Sequence, residues 1–232
     1  MIKKILAFGD SYLNGNELTN SSQSTWPALI AQQLGIDFKS YAIAGCGNGT
    51  ISRKVLDHFY NDPNPEVLVV INWTWGCRWD FHIATVNKWR ALGPDWIPTN
   101  LISQVGQEEA QRIFDFYQAY PGNSELWHKT STLESMYATQ VFLKERGIKS
   151  VQTSLDDLIW DKTWHAPGHV QILQDYCKPN IESFDGKNFV DWSRDQGFRI
   201  TPRWEHPLDD AHQAAANYWL EHYCKLINSA AA

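Results

Sequence analysis

The sequence predicts a single α/β domain built on a parallel sheet. Three observations carry that expectation. The apolar runs are short and rich in β-branched residues, helical stretches separate them, and 232 residues with 43% hydrophobic and 20% charged content are enough for one sizeable core. The first strand is Lys4 to Phe8. Trp26 to Leu34, opened by Thr25 with Pro27 in its first turn and closed by Gly35, is the helix after it. Phe38 to Ile43 is a second strand, and Arg53 to Tyr60 an amphipathic helix stopped by the turn cluster Asn61-Asp62-Pro63-Asn64-Pro65. The five consecutive apolar residues Val67 to Ile71 suit a central strand covered on both faces. From Trp79 to Asn123 no strand pattern appears, while Gln107 to Tyr120 is helical. The expected organisation is therefore one domain over residues 1–232 with a Trp-rich helical insertion or lid at about 79–127. Ser124 to Arg146 is a long helix ending at Gly147, and Ile148 to Thr153 is the fourth strand. Residues 156–204 read as loop-rich, and Asp209 to Ile227 is the closing helix.

Composition narrows the partners. A net charge of −6 with no basic patch argues against nucleic acid and anionic membrane surfaces. The apolar stretch ending at Phe8 is too short for a signal-peptide core or a spanning helix, so the chain reads as cytoplasmic. Cys46, Cys77, Cys177 and Cys224 form no CxxC pair and no Cys/His cluster, which predicts buried thiols, no metal and no cofactor. Twelve Trp, nine Tyr and ten Phe exceed what one core readily buries, so some of these rings are expected to line a groove.

Four stretches fall where the strands end, the edge at which open α/β folds place ligands. The first strand runs into Gly9-Asp10-Ser11, which sets a serine at that edge in a position suited to a nucleophile. Ala42 to Thr50 carries three glycines that let backbone N–H groups approach a ligand, as an oxyanion hole requires. Asn72 to Asp80 follows the buried strand. There Asn72 or Thr74 suits an oxyanion donor, and Arg78 with Asp80 suits either a structural ion pair or a substrate clamp. Finally, Arg203 to His212 contains two histidines, His206 in a loop stiffened by Pro207 and His212 in the first turn of the last helix, either of which would serve as general base. Asp10 reads as a structural carboxylate that ties the serine turn together.

Taken together, the four stretches resemble the blocks of the SGNH/GDSL hydrolase superfamily across essentially the whole chain. Ser11 in FGDSYLNG matches the first block, Gly45 the second, residues 67–75 the third, and His206-Pro207 with His212 the last. The runs AxxGxxNxxIxR from Ala42 to Arg53 and WTxxxRxD from Trp73 to Asp80 resemble a phage and bacterial GDSL-like subgroup. The resemblance implies a flavodoxin-like three-layer α/β/α sandwich. It also implies a serine that attacks an acyl carbonyl, a histidine that takes its proton, and an oxyanion held by the Ser11 N–H, the Gly45 N–H and an asparagine side chain. The family's GxND has no match in NWTWG, which leaves Asn48, Asn72 and Thr74 as substitutes. Its DxxHP aspartate is replaced by Arg203, which accepts no proton from a histidine. His206 is the preferred base, with Glu205, Asp209 or a backbone carbonyl orienting it, and Asp209 with His212 is the alternative pair.

The expected activity is hydrolysis of short-chain acyl esters through an acyl-enzyme on Ser11. An O-acetylated carbohydrate is the first substrate class to consider, with Trp73 and Arg78 as substrate contacts. Two rivals remain open at this point: a catalytically decayed protein that binds a glycan or small ligand on the same scaffold, and an acyltransferase.

Overall fold

The computed structural model describes residues 2–84, 88–93, 96–97, 99–120, 124–163 and 167–229, with the backbone alone at 100 and 223–229. The expected insertion at 79–127 therefore falls partly outside the described residues, as do the side chain of Cys224 and the terminal residues 230–232. In chain order the elements are β1 (Lys4–Phe8), α1 (Ser11–Asn14), α2 (Trp26–Leu34), β2 (Asp37–Ser40), α3 (Asn48–Asn61) and β3 (Val67–Trp73). The hairpin β4 (Trp79–Ile83) and β5 (Lys88–Leu92) follows, then α4 (Thr99–Val105), α5 (Gln107–Ala119), α6 (Glu125–Glu145), β6 (Lys149–Ser154), α7 (Gly168–Cys177), α8 (Phe189–Asp195) and α9 (Asp209–Ser229).

The main sheet is parallel throughout, in the order β2-β1-β3-β6. Strand order reverses at β1, so the crevice between the carboxyl ends of β1 and β3 is a topological switch point. Side chains alternate along each strand and feed two cores. Ile5, Ala7, Leu68 and Val70 pack against Trp26 and Ile30 of α2, Phe189 of α8 and Ala215 and Trp219 of α9. Leu6, Phe8, Val69 and Ile71 pack against Ile51 and Val55 of α3, Leu133 and Met136 of α6 and Val170 of α7. This is a three-layer α/β/α sandwich, as expected.

Three local expectations change. β2 ends at Ser40, three residues earlier than expected, although Tyr41 N–H and Ile43 N–H still donate to Ala7 and Gly9 and keep the chain alongside β1. The stretch after Trp79 contains an antiparallel hairpin with Trp79 opposite Leu92 and Ile83 opposite Lys88. Its apolar side packs on a separate small cluster that includes Leu101, Ala110 and Tyr117, so charged and aromatic residues hid the strand alternation. The loop-rich 156–204 region holds α7 and α8, whose few apolar positions are spaced too briefly to mark a helix in the sequence. Of the thiols, Cys46 and Cys177 are buried but Cys77 is exposed. Among the described residues, no helix is long and apolar enough to cross a membrane, and no group of three or more His, Cys, Asp or Glu is placed to hold a metal ion.

Leu6 is fully buried in the face shared with α3 and α6. Leu6→Ala should lower unfolding stability by about 2–5 kcal/mol, read from urea denaturation midpoints at unchanged slope.

Candidate active site

The site begins where β1 stops. A Cβ at Gly9 would stand 3.1 Å from the Asn72 carbonyl oxygen and 3.3 Å from Leu13 Cδ1, so the chain leaves the strand through a gap that admits no side chain without displacement. Asp10 is fully buried and caps α1, with Oδ1 accepting from the Tyr12 N–H at 3.2 Å. Its Oδ2 accepts from Thr74 Oγ1 at 2.6 Å and from Arg78 Nη1 at 2.9 Å. The same Arg78 nitrogen donates to the Cys46 carbonyl at 2.9 Å. One buried ion pair thus joins the ends of β1 and β3 to the glycine-rich loop, which fits the structural role expected of Asp10. Ser11 follows as the first residue of α1, where backbone N–H groups have no acceptor inside the helix.

Ser11 Oγ lies 3.0 Å from His206 Nε2, across 195 residues of sequence. The turn that delivers His206 is braced on several sides. Ile200 and Pro207 form a bridge, the Thr201 N–H donates to the His206 carbonyl, and the His206 N–H donates to Thr201 Oγ1, both at 2.9 Å. The Tyr12 ring meets the imidazole edge-on, with centroids 4.6 Å apart, and its hydroxyl donates to the Trp204 carbonyl at 3.3 Å. Burial and the neighbouring Asp10 push the Tyr12 hydroxyl well above its ordinary value, so it stays a donor. His206 Nδ1 lies 2.9 Å from Glu17 Oε1. That oxygen sits off the line of the ring N–H, so this is a close contact without an aligned hydrogen bond. Glu17 lies in the segment after the serine, outside the histidine block from which the sequence pattern draws its carboxylates.

The other anticipated residues divide between neighbours of this pair and groups committed elsewhere. His212 is buried under Phe189, and its Nδ1 accepts from the Trp26 N–H at 3.1 Å, which satisfies the first turn of α2. Burial holds its pKa down to about 3. Glu205 points away to Arg194 at 3.0 Å, and Asp209 accepts from the backbone N–H and hydroxyl of Thr19. Neither approaches a His206 ring nitrogen within 4.0 Å among the described contacts. The Asn48 amide spans Thr74, accepting from that N–H at 2.8 Å and donating to that carbonyl at 3.0 Å. Thr74 is committed by the same bridge and by Asp10. Asn72 accepts from Thr153 Oγ1 at 2.8 Å and leaves its Nδ2 without a partner, closed to solvent beside Gly9. Trp73 is fully buried with its Nε1 on Gln152, so it offers a substrate nothing to touch. Arg78 and Asp80 do not pair with each other. Asp80 instead caps α3, accepting from the N–H groups of Gly47 and Thr50 and from Thr50 Oγ1.

Gly45 adopts φ +73, and the six-membered ring of Trp96 stands 3.4 Å from where a Cβ would be. One insertion ring therefore borders the glycine loop. Two cavities lie farther along the same sheet edge, one of about 280 Å³ among Gly76, Cys77, His128 and Asp156, and one of about 120 Å³ that includes Arg78 and Asp80. Ser11 and His206 line neither.

Two outcomes follow from the buried charges. Arg78→Met strands the Asp10 carboxylate and should cost about 3–5 kcal/mol, part of which Asp10→Asn in the same chain restores, measured by denaturant unfolding. Because His212 is held neutral when folded, its contribution is complete above its unfolded value near 6.5 and is lost as pH falls toward 3. Stability of the wild type should therefore fall more steeply over that window than that of His212→Gln, by up to about 1.4 kcal/mol per pH unit.

No family model matches the sequence, and no curated protein matches it. Solved structures do. A protein assigned to the lipolytic G-D-S-L family from Desulfitobacterium hafniense DCB-2 aligns with a TM-score of 0.50 at 11% identity, over 93% of this chain and 97% of that one. The psychrotrophic esterase EstA from Pseudoalteromonas sp., in a structure inhibited by monoethylphosphonate, gives 0.51 at 11% identity, over 97% and 99%. With the reversal of its parallel sheet at β1 and a serine at that strand's exit, the chain has the α/β fold of the SGNH/GDSL hydrolases.

Proposed function

We propose that the protein is a serine esterase in which Ser11 is the nucleophile and His206 the general base. The observation that carries this reading is the 3.0 Å approach of Ser11 Oγ to His206 Nε2 at the switch point of the sheet. In acylation, a bond forms between Ser11 Oγ and the ester carbonyl carbon as the hydroxyl proton passes to Nε2. The carbonyl oxygen takes the negative charge, the bond to the alcohol oxygen breaks, and Nε2 returns the proton to the departing alcohol. Water then attacks the acyl carbon, gives its proton to Nε2, and the proton returns to Ser11 Oγ as the carboxylic acid leaves. The backbone N–H groups of Ser11 and Gly45 are the assigned oxyanion donors. Supporting that pair, the Gly45 loop is stitched to the serine turn by Ile43 N–H on the Gly9 carbonyl and by Arg78 bridging Asp10 and Cys46.

The substrate class we assign is a short acyl ester of a polar, carbohydrate-like alcohol. Trp96 beside Gly45 and the half-exposed Trp204, two residues before His206, supply flat aromatic faces next to the glycine loop and the histidine turn, and Arg203 packs over Trp204 to keep that rim polar. EstA, which shares the fold, is described as inhibited by a phosphonate, and this recommends the probe. Incubation with a small fluorophosphonate should add one phosphonyl group by intact mass, absent in Ser11→Ala. A folded wild type that takes no adduct would overturn the esterase reading in favour of a ligand-binding protein on this scaffold.

A further inference from the structure

We propose that the carboxylate that orients His206 is Glu17, supplied by the segment that also carries the nucleophile. This rests on the reading of Ser11 and His206 given above. For Nε2 to take the serine proton, the neutral ring must already carry its hydrogen on Nδ1, and that N–H needs an acceptor before and after the transfer. Nδ1 is closed to solvent and has no aligned hydrogen-bond partner, so water does not fill that role. Among the described residues Glu17 is the one carboxylate within 4.0 Å, with Oε1 at 2.9 Å. The acids of the histidine block are occupied: Glu205 by Arg194, Asp209 by Thr19, and Asp210 by Arg199 at 3.1 Å.

The local chain explains how a residue six positions after the serine turns back to reach the histidine. Gly15 closes α1 in the left-handed region, φ +71, and a Cβ there would press to 2.7 Å on the Ser21 carbonyl oxygen. The Leu18 N–H then donates to the Gly15 carbonyl at 3.0 Å, and Leu18 is buried. Thr19 is pinned to Asp209 through both its N–H and its hydroxyl. Glu17 thus sits in a tight loop anchored on either side, and Asp209, which the sequence offered as an orienting acid, anchors that loop instead. Glu17 acts through His206 and is a positioning residue. A slight rotation of the imidazole toward Oε1 converts the close contact into a linear hydrogen bond.

The test uses the full chain, with p-nitrophenyl acetate turnover and the rate of fluorophosphonate adduct formation as paired readouts. Glu17→Gln should lower kcat and the adduct rate about 10- to 100-fold with KM little changed. Glu17→Asp should recover part of the loss, added formate should partly restore Glu17→Ala, and Glu205→Gln should match the wild type. A wild-type adduct rate in Glu17→Gln overturns the Glu17 assignment while leaving Ser11 and His206 standing, and so does a loss confined to Glu205→Gln. Absence of any adduct on the wild type removes the underlying reading, and this assignment with it.

Discussion

The buried pair of Asp10 and Arg78 is the constraint on which the site depends. A carboxylate with no solvent access is costly to hold unless charge and hydrogen bonds surround it. Asp10 is surrounded by the Arg78 guanidinium, the Thr74 hydroxyl and the Tyr12 N–H. Each of those donors belongs to a segment that must be in place for the serine to face the histidine. Arg78 fixes the exit of β3 and, through the Cys46 carbonyl, the glycine loop. Tyr12, whose N–H the same carboxylate holds, turns its ring against His206. The arrangement is stabilising only when complete, which makes the geometry at the sheet edge cooperative rather than a sum of separate contacts.

The aromatic insertion is attached by a parallel device. Asp80 opens β4 yet spends its carboxylate on the first turn of α3, and Trp89 of β5 lies over Arg53 of the same helix at 3.5 Å. Burial raises the Asp80 carboxyl, and the donors of Gly47 and Thr50 with Arg53 oppose that rise. The hairpin therefore reads the helix N-terminus that follows the glycine loop. In this way Trp96 comes to stand beside Gly45 although the two are distant in sequence.

Much of the fold was legible because its signals are local. α2 falls at the predicted residues, since Pro27 in its first turn and the left-handed Gly35 mark its ends, and β3 announces itself by an unbroken apolar run from Val67 to Ile71. The hairpin after Trp79 was not legible: its strands pack on a private cluster, and Arg90 and Lys88 stand opposite Phe81 and Ile83 on the same face, which breaks the apolar alternation. At the site, glycine and proline punctuation marked the turns that carry Ser11 and His206, which the fold brings within 3.0 Å of each other. For Asn48 and Thr74 a sequence displays a donor's existence and not its commitment, and here the Asn48 amide is bonded to the Thr74 backbone. Glu17 carried no motif. Its proximity to His206 is created by the closure of one short loop, which pairing rules between distant blocks do not encode.

That loop has a consequence for the kinetics of the site as an assembly. Glu17 lies only six positions after Ser11, so the two travel together, and His206 alone arrives from the other end of the chain. Displacement of the 200–207 turn breaks both of its contacts in one event. The arrangement of these three side chains is then all-or-none, governed by the docking equilibrium of a single turn rather than by independent adjustment of each.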